Sequence, residues 1–315
     1  MKINNTTIIN TCGIIYLRCI KMEYEIKSPK IKKVDDKFIP IDNIDVLNVY
    51  ITLKNKNLNV ETFRENIKDL VIKDEFDKDG DTSYDYIDNV IYCPKEKYKN
   101  SITHELLHAA TSIKNVNGVY AGFMYADFFT KDWIGIGLYE GMTAYVDELL
   151  FGDYTKEKRE VEKYTYQLTK SIIKNLELII PEETLINYFM NSDLSSLILR
   201  FNDLYDDVTH VLDFLEAVDN LYFKFDLTSN VDSDYINDIK EDYNKVKTFI
   251  AESLYIIVND SFNNKEINKE DLKYFNNLSK SILNGVIEMN GIAYGVKNPR
   301  EYNKIKKRYK KRKNA

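Results

Sequence analysis

"SITHELLHAATS", residues 101–112, holds two of the three histidines of the chain, four positions apart, with a glutamate directly after the first. On an α-helix, residues i and i+4 project from the same face, one turn apart. His104 and His108 can therefore direct their imidazoles at one metal ion. Glu105 lies about 100° round the helix, close enough to reach a water molecule at that ion. This stretch predicts a helix that binds a metal and carries a general base.

The chemistry of the H-E-x-x-H pattern explains each of its polar positions. Two imidazole nitrogens suit Zn²⁺, and zinc lowers the pKa of a bound water to about 7. Glu105 can then take the proton of that water and pass it to a leaving amine. The alternative is a pair of core histidines with backbone partners, because buried polar groups must be satisfied.

A catalytic zinc needs a third protein ligand and an open fourth position. The segment "IGIGLYEGMTAYVDELLFG", residues 134–152, predicts a second helix with Glu140 in its early turns. Asp127 and Asp132, in the loop between the two helices, are rival ligands. The alternative for Glu140 is a surface glutamate that the helix dipole favours near an N-terminus.

The two motifs together resemble the gluzincin group of zinc metallopeptidases, of which thermolysin is the familiar member. The resemblance covers about residues 87–152 and is specific only at the motifs. It implies His104, His108 and Glu140 as zinc ligands and Glu105 as the general base. It also implies a zincin-like fold and a peptide or protein substrate.

Two departures from the family patterns are visible. The thermolysin pattern places an aspartate four residues after the ligand glutamate, to orient a ligand histidine, and this chain has Ala144 there. Thr143 or Asp147, on the same side of the predicted helix, is expected to orient the histidine instead. The H-x-x-G-x-x-H extension of metzincins is absent, because "AATSIKN" follows His108.

The resemblance also implies a donor for the transition-state oxyanion and an edge for the substrate. The donor candidates are His210, which lies one turn from Asp206 and Asp213, and Tyr145 on the Glu140 helix. A surface histidine among acids is the alternative for His210. In zincins the strand before the active-site helix pairs with an extended substrate, which here predicts that role for residues 87–93.

Residue patterns outside the motifs predict an α+β fold in which a small sheet region precedes helices. Residues 46–53 and 87–93 are predicted strands, and residues 59–72 a predicted helix. The motif helix is expected to be capped near Ser101 or Thr103.

The second half predicts helices, since no glycine occurs from Asp153 to Asn284 and Pro181 is the only proline there. Residues 207–225 carry one apolar stripe of helical spacing. We therefore predict a zincin-like α+β region over 1–152, a helical region over 153–298 and a basic, disordered tail over 299–315.

Charge and composition restrict the partners. Eight of the ten residues 304–313 are Lys or Arg within a net charge of −6, so the rest of the chain carries −14. That balance does not favour nucleic acid or an anionic membrane, although the tail could bind nucleic acid, acidic lipid or an acidic partner. The oligomeric state is left open.

Three scattered cysteines and the short apolar segment 6–20 indicate the cytoplasm rather than secretion. The apolar segment is too short to span a bilayer, and we expect a leading strand there or a true start at Met22.

The sequence favours a zinc-dependent peptidase that uses Glu105 as its general base. The alternative is a catalytically weak or inactive zincin-like binding or regulatory module of a mobile-element or toxin–antitoxin system. Retention of Glu105 argues against that module, because a purely structural zinc site has no use for a base.

Overall fold

The computed structural model describes residues 44–152, 166–205, 207–226, 233–283, 287–288 and 291–292. The predicted α+β class is confirmed: seven short strands occur between Val71 and Ile134, and helices dominate the described residues that follow. The segment 6–20, Met22 and the basic tail lie outside the described residues. None of the described helices has the length and apolar character that a membrane crossing requires.

A three-stranded sheet leads into the motif helix. Its strands are β1 (Val71–Lys73), β2 (Ser83–Asp85) and β3 (Val90–Tyr92). β3 lies in the centre, parallel to β1 and antiparallel to β2. It falls within the strand predicted over 87–93, and the motif helix begins three residues after it.

An antiparallel meander joins the two helices that carry the motifs. The helices are α3 (Lys95–Thr111) and α4 (Ile136–Phe151). The strands between them are β4 (Ser112–Lys114), β5 (Gly118–Ala121), β6 (Met124–Asp127) and β7 (Trp133–Ile134). Each strand pairs with the next in sequence. The meander thus returns the chain to α3, so that α4 packs directly against it.

The strand predicted over residues 46–53 is wrong, because these residues lie in helix α1 (Ile44–Asn55). Their β-branched composition suggested a strand. The buried residues, however, are Val46, Val49, Tyr50 and Leu53, whose i, i+3, i+4, i+7 spacing draws a helical stripe. Burial of that stripe outweighs the weaker strand preference of valine and isoleucine.

The helix predicted over residues 59–72 is only partly formed. Helix α2 covers Glu61–Asn66 and buries Phe63, and the chain then turns into β1 at Val71. Pairing of β1 with the central strand β3 takes residues that the apolar pattern assigned to a helix. The long-range partner decides the structure here, as it often does for short apolar runs.

The expected cap of α3 near Ser101 or Thr103 is also wrong, since both lie inside the helix. The first turn is held from outside by Asp74, which follows β1. Its carboxylate accepts a hydrogen bond from the backbone N–H of Lys95 at 2.8 Å and pairs with the Lys95 ammonium at 2.6 Å. Asp74 therefore supplies the acceptor that a local Ser or Thr cap would have supplied.

The second half of the described chain is helical, as predicted. The exception is a pair of antiparallel strands of two residues each, β8 (Ile287–Glu288) and β9 (Gly291–Ile292). Its α-helices are α5 (Gln167–Leu176), α6 (Glu182–Met190), α7 (Leu194–Tyr205), α8 (Val208–Leu221), α9 (Ser233–Asn263) and α10 (Lys269–Leu283). A π-helical turn, Tyr222–Asp226, extends α8. The predicted stripe on α8 buries Val211, Leu215 and Val218.

Two glycines allow α4 to sit very close to its neighbours. A Cβ atom at Gly137 would lie 2.6 Å from the carbonyl oxygen of Val218 on α8. A Cβ atom at Gly141 would lie 2.7 Å from the carbonyl carbon of Thr169 on α5. Both contacts are to backbone atoms, which cannot rotate away. The glycines around Glu140 therefore set the distance between the helices.

We predict that Gly137→Ala lowers the free energy of unfolding by about 1–3 kcal/mol, the usual cost of forcing extra volume into a packed core. Chemical denaturation measures this change. The control is Leu149→Ala, on the exposed side of the same helix, which should change stability by no more than about 0.5 kcal/mol. A gain of about 1 kcal/mol for Gly137→Ala, which helix propensity alone would give, contradicts the close approach.

Candidate metal centre

His104 and His108 project from the same face of α3, as their spacing predicts. Their ring centroids lie 4.6 Å apart and the ring planes are nearly perpendicular. Glu140, on the second turn of α4, faces them. Its Oε2 lies 3.3 Å from Nε2 of His104 and 3.5 Å from Nε2 of His108. One carboxylate oxygen thus sits between two imidazole nitrogens.

These three side chains could hold a metal ion. Their ligand atoms all lie within 4.8 Å of one another, the one such group of three found in the described part of the chain. A tetrahedral ion with bonds of 2.0–2.1 Å separates neighbouring ligand atoms by about 3.3 Å. The two histidine–glutamate distances are close to that value. The donors therefore fit around one ion if the separation of the two histidine nitrogens, which is within 4.8 Å, is brought to a similar value.

The group is largely withdrawn from solvent. The side chains of His104 and Glu140 are 12% exposed and that of His108 is 7% exposed. Leu106, Leu107 and Ala109 of the same helix are fully buried. Such an environment strengthens interactions between charges, because little water screens them.

The pKa values of His104 and Glu140 are both shifted, because the two side chains interact with each other. Burial lowers the pKa of His104, but the hydrogen bond to Glu140 and the charges of Glu105, Glu140 and Asp147 outweigh it and raise the pKa to about 9. Burial raises the pKa of Glu140, but the charges of His108 and His104 outweigh it and hold the pKa well below its usual range. Without a metal, a protonated imidazole and the Glu140 carboxylate satisfy each other.

Glu105 differs from the three ligand candidates. It is 4% exposed and does not belong to the three-residue group, although its charge interacts with His104, His108 and Glu140. Burial raises its pKa, and Glu140 and Asp147 act in the same direction, whereas His104 and His108 lower it. A buried carboxylate is costly to ionise, and one with a raised pKa beside a group of possible metal ligands is a candidate functional residue.

Neighbouring side chains support the two imidazoles. The hydroxyl of Thr143 lies 3.5 Å from Nδ1 of His108, on the side away from Glu140, and donates a hydrogen bond to the carbonyl of Tyr139. The Tyr139 ring packs 4.6 Å from the His108 ring. The predicted substitute for the missing aspartate at position 144 is thus in place at Thr143. Asp147, the other predicted substitute, is buried and contributes charge beside His104.

Two further residues, which were not predicted from the sequence, shape this site. Tyr166 stacks its ring on His104, with the centroids 5.4 Å apart and the planes 11° from parallel. Asp219 on α8 accepts hydrogen bonds from the backbone N–H groups of Gly135 and Gly137. With 24 tyrosines in the chain, no pattern singles out Tyr166. Asp219 occupies a polar position within an apolar helix face, which was the available signal.

The other predicted site residues lie in different surroundings. Tyr145 donates a hydrogen bond to Glu182. His210 pairs with Glu252 at 3.5 Å and packs against Tyr205 and Phe249. Neither belongs to the three-residue metal group. Their proposed role as oxyanion donors stays a prediction.

Of the rival ligands, Asp127 is the last residue of β6 and Asp132 lies in the turn between β6 and β7. The carboxylate of Asp127 accepts hydrogen bonds from the backbone N–H groups of Phe129 and Thr130 and from the hydroxyl of Tyr125. The backbone N–H of Asp132 donates to the Thr130 hydroxyl. The hydrogen bonds to Asp127 stabilise the turn that follows β6. The three-residue metal group includes neither aspartate.

The substrate edge expected at residues 87–93 is wrong. β3 lies between β1 and β2, so both of its hydrogen-bonding edges are occupied. The edge strands of this sheet are β1 and β2. An extended peptide has no place beside β3.

Comparison with protein-family models, curated proteins and solved structures finds no match for this chain.

We predict that Glu140→Ala weakens metal binding by at least about 100-fold, beyond the 10–100-fold typical of changes outside the ligand shell. Competition with a chromophoric chelator, with Zn²⁺ as the probe, measures the affinity. Asp132→Ala is the control and should bind as the wild type does. Unchanged affinity in Glu140→Ala, together with a loss in Asp127→Ala or Asp132→Ala, would assign the third ligand to the turn.

Metal affinity should also rise with pH, because His104 must lose its proton to bind. Its pKa is raised from 6.5 to about 9, so we expect about a ten-fold gain in affinity per pH unit from pH 6.5 to 8.5. In the metal-free protein, the contribution of His104 to folding stability falls as the pH rises. The stabilisation from protonated His104 is complete below pH 6.5 and is lost as the pH rises through about 9. Zinc competition and denaturation at several pH values test both trends, and a flat affinity profile would contradict the first.

Proposed function

We propose that this protein is a zinc-dependent hydrolase of the gluzincin type that cleaves peptide bonds. The observation that carries the proposal is the convergence of His104, His108 and Glu140, with the buried carboxylate of Glu105 close enough for its charge to interact with all three. A structural metal site needs no such residue. A hydrolytic site needs one group in this place to receive a proton.

The donor set supports zinc among the common metals. Two imidazole nitrogens and one carboxylate oxygen form the ligand set of many catalytic zinc sites, which leave a fourth position open. Calcium and magnesium prefer oxygen ligands only. Within the described residues no fourth His, Cys, Asp or Glu joins the group. An open position for water or substrate is therefore part of the proposal.

Bound zinc would act as a Lewis acid that polarises a carbonyl group and makes water acidic near neutral pH. The remaining proton transfers are assigned to Glu105. Glu105 accepts a proton from the attacking water while the water oxygen bonds to the carbonyl carbon. It returns the proton to the amide nitrogen as the C–N bond breaks. Burial raises the pKa of Glu105, which helps it to hold a proton between these steps.

Peptide as the substrate class rests on the resemblance of the two motifs to gluzincins. In this chain an extended peptide would find an edge at β2, the antiparallel strand on the outside of the first sheet. β2 also contacts the motif helix α3. Main-chain pairing there would present a peptide alongside the helix that carries Glu105. Action in the cytoplasm belongs to the same proposal, since the chain shows no disulfide framework.

We predict that Glu105→Gln lowers the hydrolysis rate of a peptide library by about 100-fold or more and leaves zinc content unchanged. The amide keeps the shape of the carboxylate but cannot accept the proton. Glu96→Gln, an exposed change on the same helix, is the matched control and should cleave as the wild type does.

The result also separates the two functions that the sequence allows. If the wild type binds zinc and cleaves no peptide, or if Glu105→Gln cleaves at the wild-type rate, the peptidase proposal fails. Zinc bound without cleavage would favour the binding or regulatory module.

A further inference from the structure

Asp219 holds the start of the helix that carries Glu140. It lies on α8, 84 residues beyond Gly135, and is 8% exposed. One carboxylate oxygen accepts a hydrogen bond from Gly135 N–H at 2.8 Å and the other from Gly137 N–H at 2.9 Å. We propose that Asp219 is a positioning residue that fixes Glu140 for metal binding. The inference rests on the metal centre of the proposed function.

Helix α4 cannot cap its own N-terminus. Its N-cap residue, Gly135, has no side chain and adopts a left-handed backbone conformation with φ 78°. The first N–H groups of a helix have no partner within it, and buried groups of this kind must be bonded elsewhere. Asp219 bonds two of these groups at once. It also places negative charge at the positive end of the helix dipole.

The geometry links this cap to the ligand. Glu140 is one turn beyond Gly137, so a shift of the first turn of α4 moves the carboxylate that faces His104 and His108. Val218, next to Asp219, presents its carbonyl oxygen 2.6 Å from a Cβ position at Gly137. The cap and the close backbone contact thus come from neighbouring residues of α8. Together they fix the position of the first turn of α4 and its distance from α8.

The cap is a costly choice for stability alone. Burial raises the pKa of Asp219 to about 7, although the N–H groups of Gly137 and Gly135 act in the opposite direction. A neutral acceptor such as asparagine or serine caps helices well without placing a charge in the interior. A bidentate carboxylate, unlike these, fixes two N–H groups in one geometry. That property suits a residue whose task is alignment.

The test compares Asp219→Ala and Asp219→Asn with the wild type in full-length protein. Zinc affinity is measured by chelator competition, and Co²⁺ replaces zinc to report ligand geometry through its visible absorption. We expect Asp219→Ala to weaken zinc binding about ten-fold or more and to weaken the absorption of tetrahedral Co²⁺. Asp219→Asn keeps one acceptor and should fall between Asp219→Ala and the wild type.

Asp207→Ala is the matched control. Asp207 caps α8 itself by accepting a hydrogen bond from Thr209 N–H at 2.9 Å, so its loss weakens the same helix without touching α4. Zinc affinity and Co²⁺ absorption should stay at wild-type values there. Wild-type affinity and absorption in Asp219→Ala, or an equal loss in Asp207→Ala, would overturn the positioning role. If the wild type itself binds no zinc, the metal centre fails first. If Asp219→Ala does not fold, Asp219→Asn decides by the same criteria.

Discussion

The carboxylate of Glu140 between the imidazoles of His104 and His108 is the contact on which the site depends. A carboxylate oxygen 3.3 and 3.5 Å from two ring nitrogens in a largely buried environment is strongly stabilised by positive charge. A proton on histidine or a metal ion can each provide it. The same three side chains therefore form an ion pair without metal and could serve as a ligand set for a metal ion.

This contact requires two helices to be held in a fixed position, and carboxylates from distant parts of the chain do so by accepting hydrogen bonds from the first backbone N–H groups of each helix. Asp74 caps α3 from the end of β1, and Asp219 caps α4 from α8. Neither helix uses a cap from its own sequence neighbourhood. Glycines at 137 and 141 bring α4 against two helices of the second half. The helical region thus contributes to the site by fixing α4, even though it supplies none of the three ligand candidates.

The candidate ligands can be predicted from the sequence, whereas the residues that hold their helices in place cannot. The physical reason is distance along the chain. His104, Glu105 and His108 follow from the geometry of a single helix. Glu140 follows from a recognisable second motif. Asp74 and Asp219 act across long separations, which no local spacing reveals. The errors over residues 46–53 and 59–72 have a related cause, because short apolar runs take the structure that their distant partners allow.

The meander between the two helices has a consequence for folding. The ligand candidates His104 and Glu140 lie 36 residues apart and are joined by strands that each pair with the next strand in sequence. Contacts of low sequence separation therefore suffice to bring them near one another. Low contact order favours rapid formation. The bond from Asp219 must instead close a loop of 84 residues, which costs more chain entropy. The three candidate side chains can therefore be brought together early by a local segment, and their alignment is completed when the remote helix α8 docks.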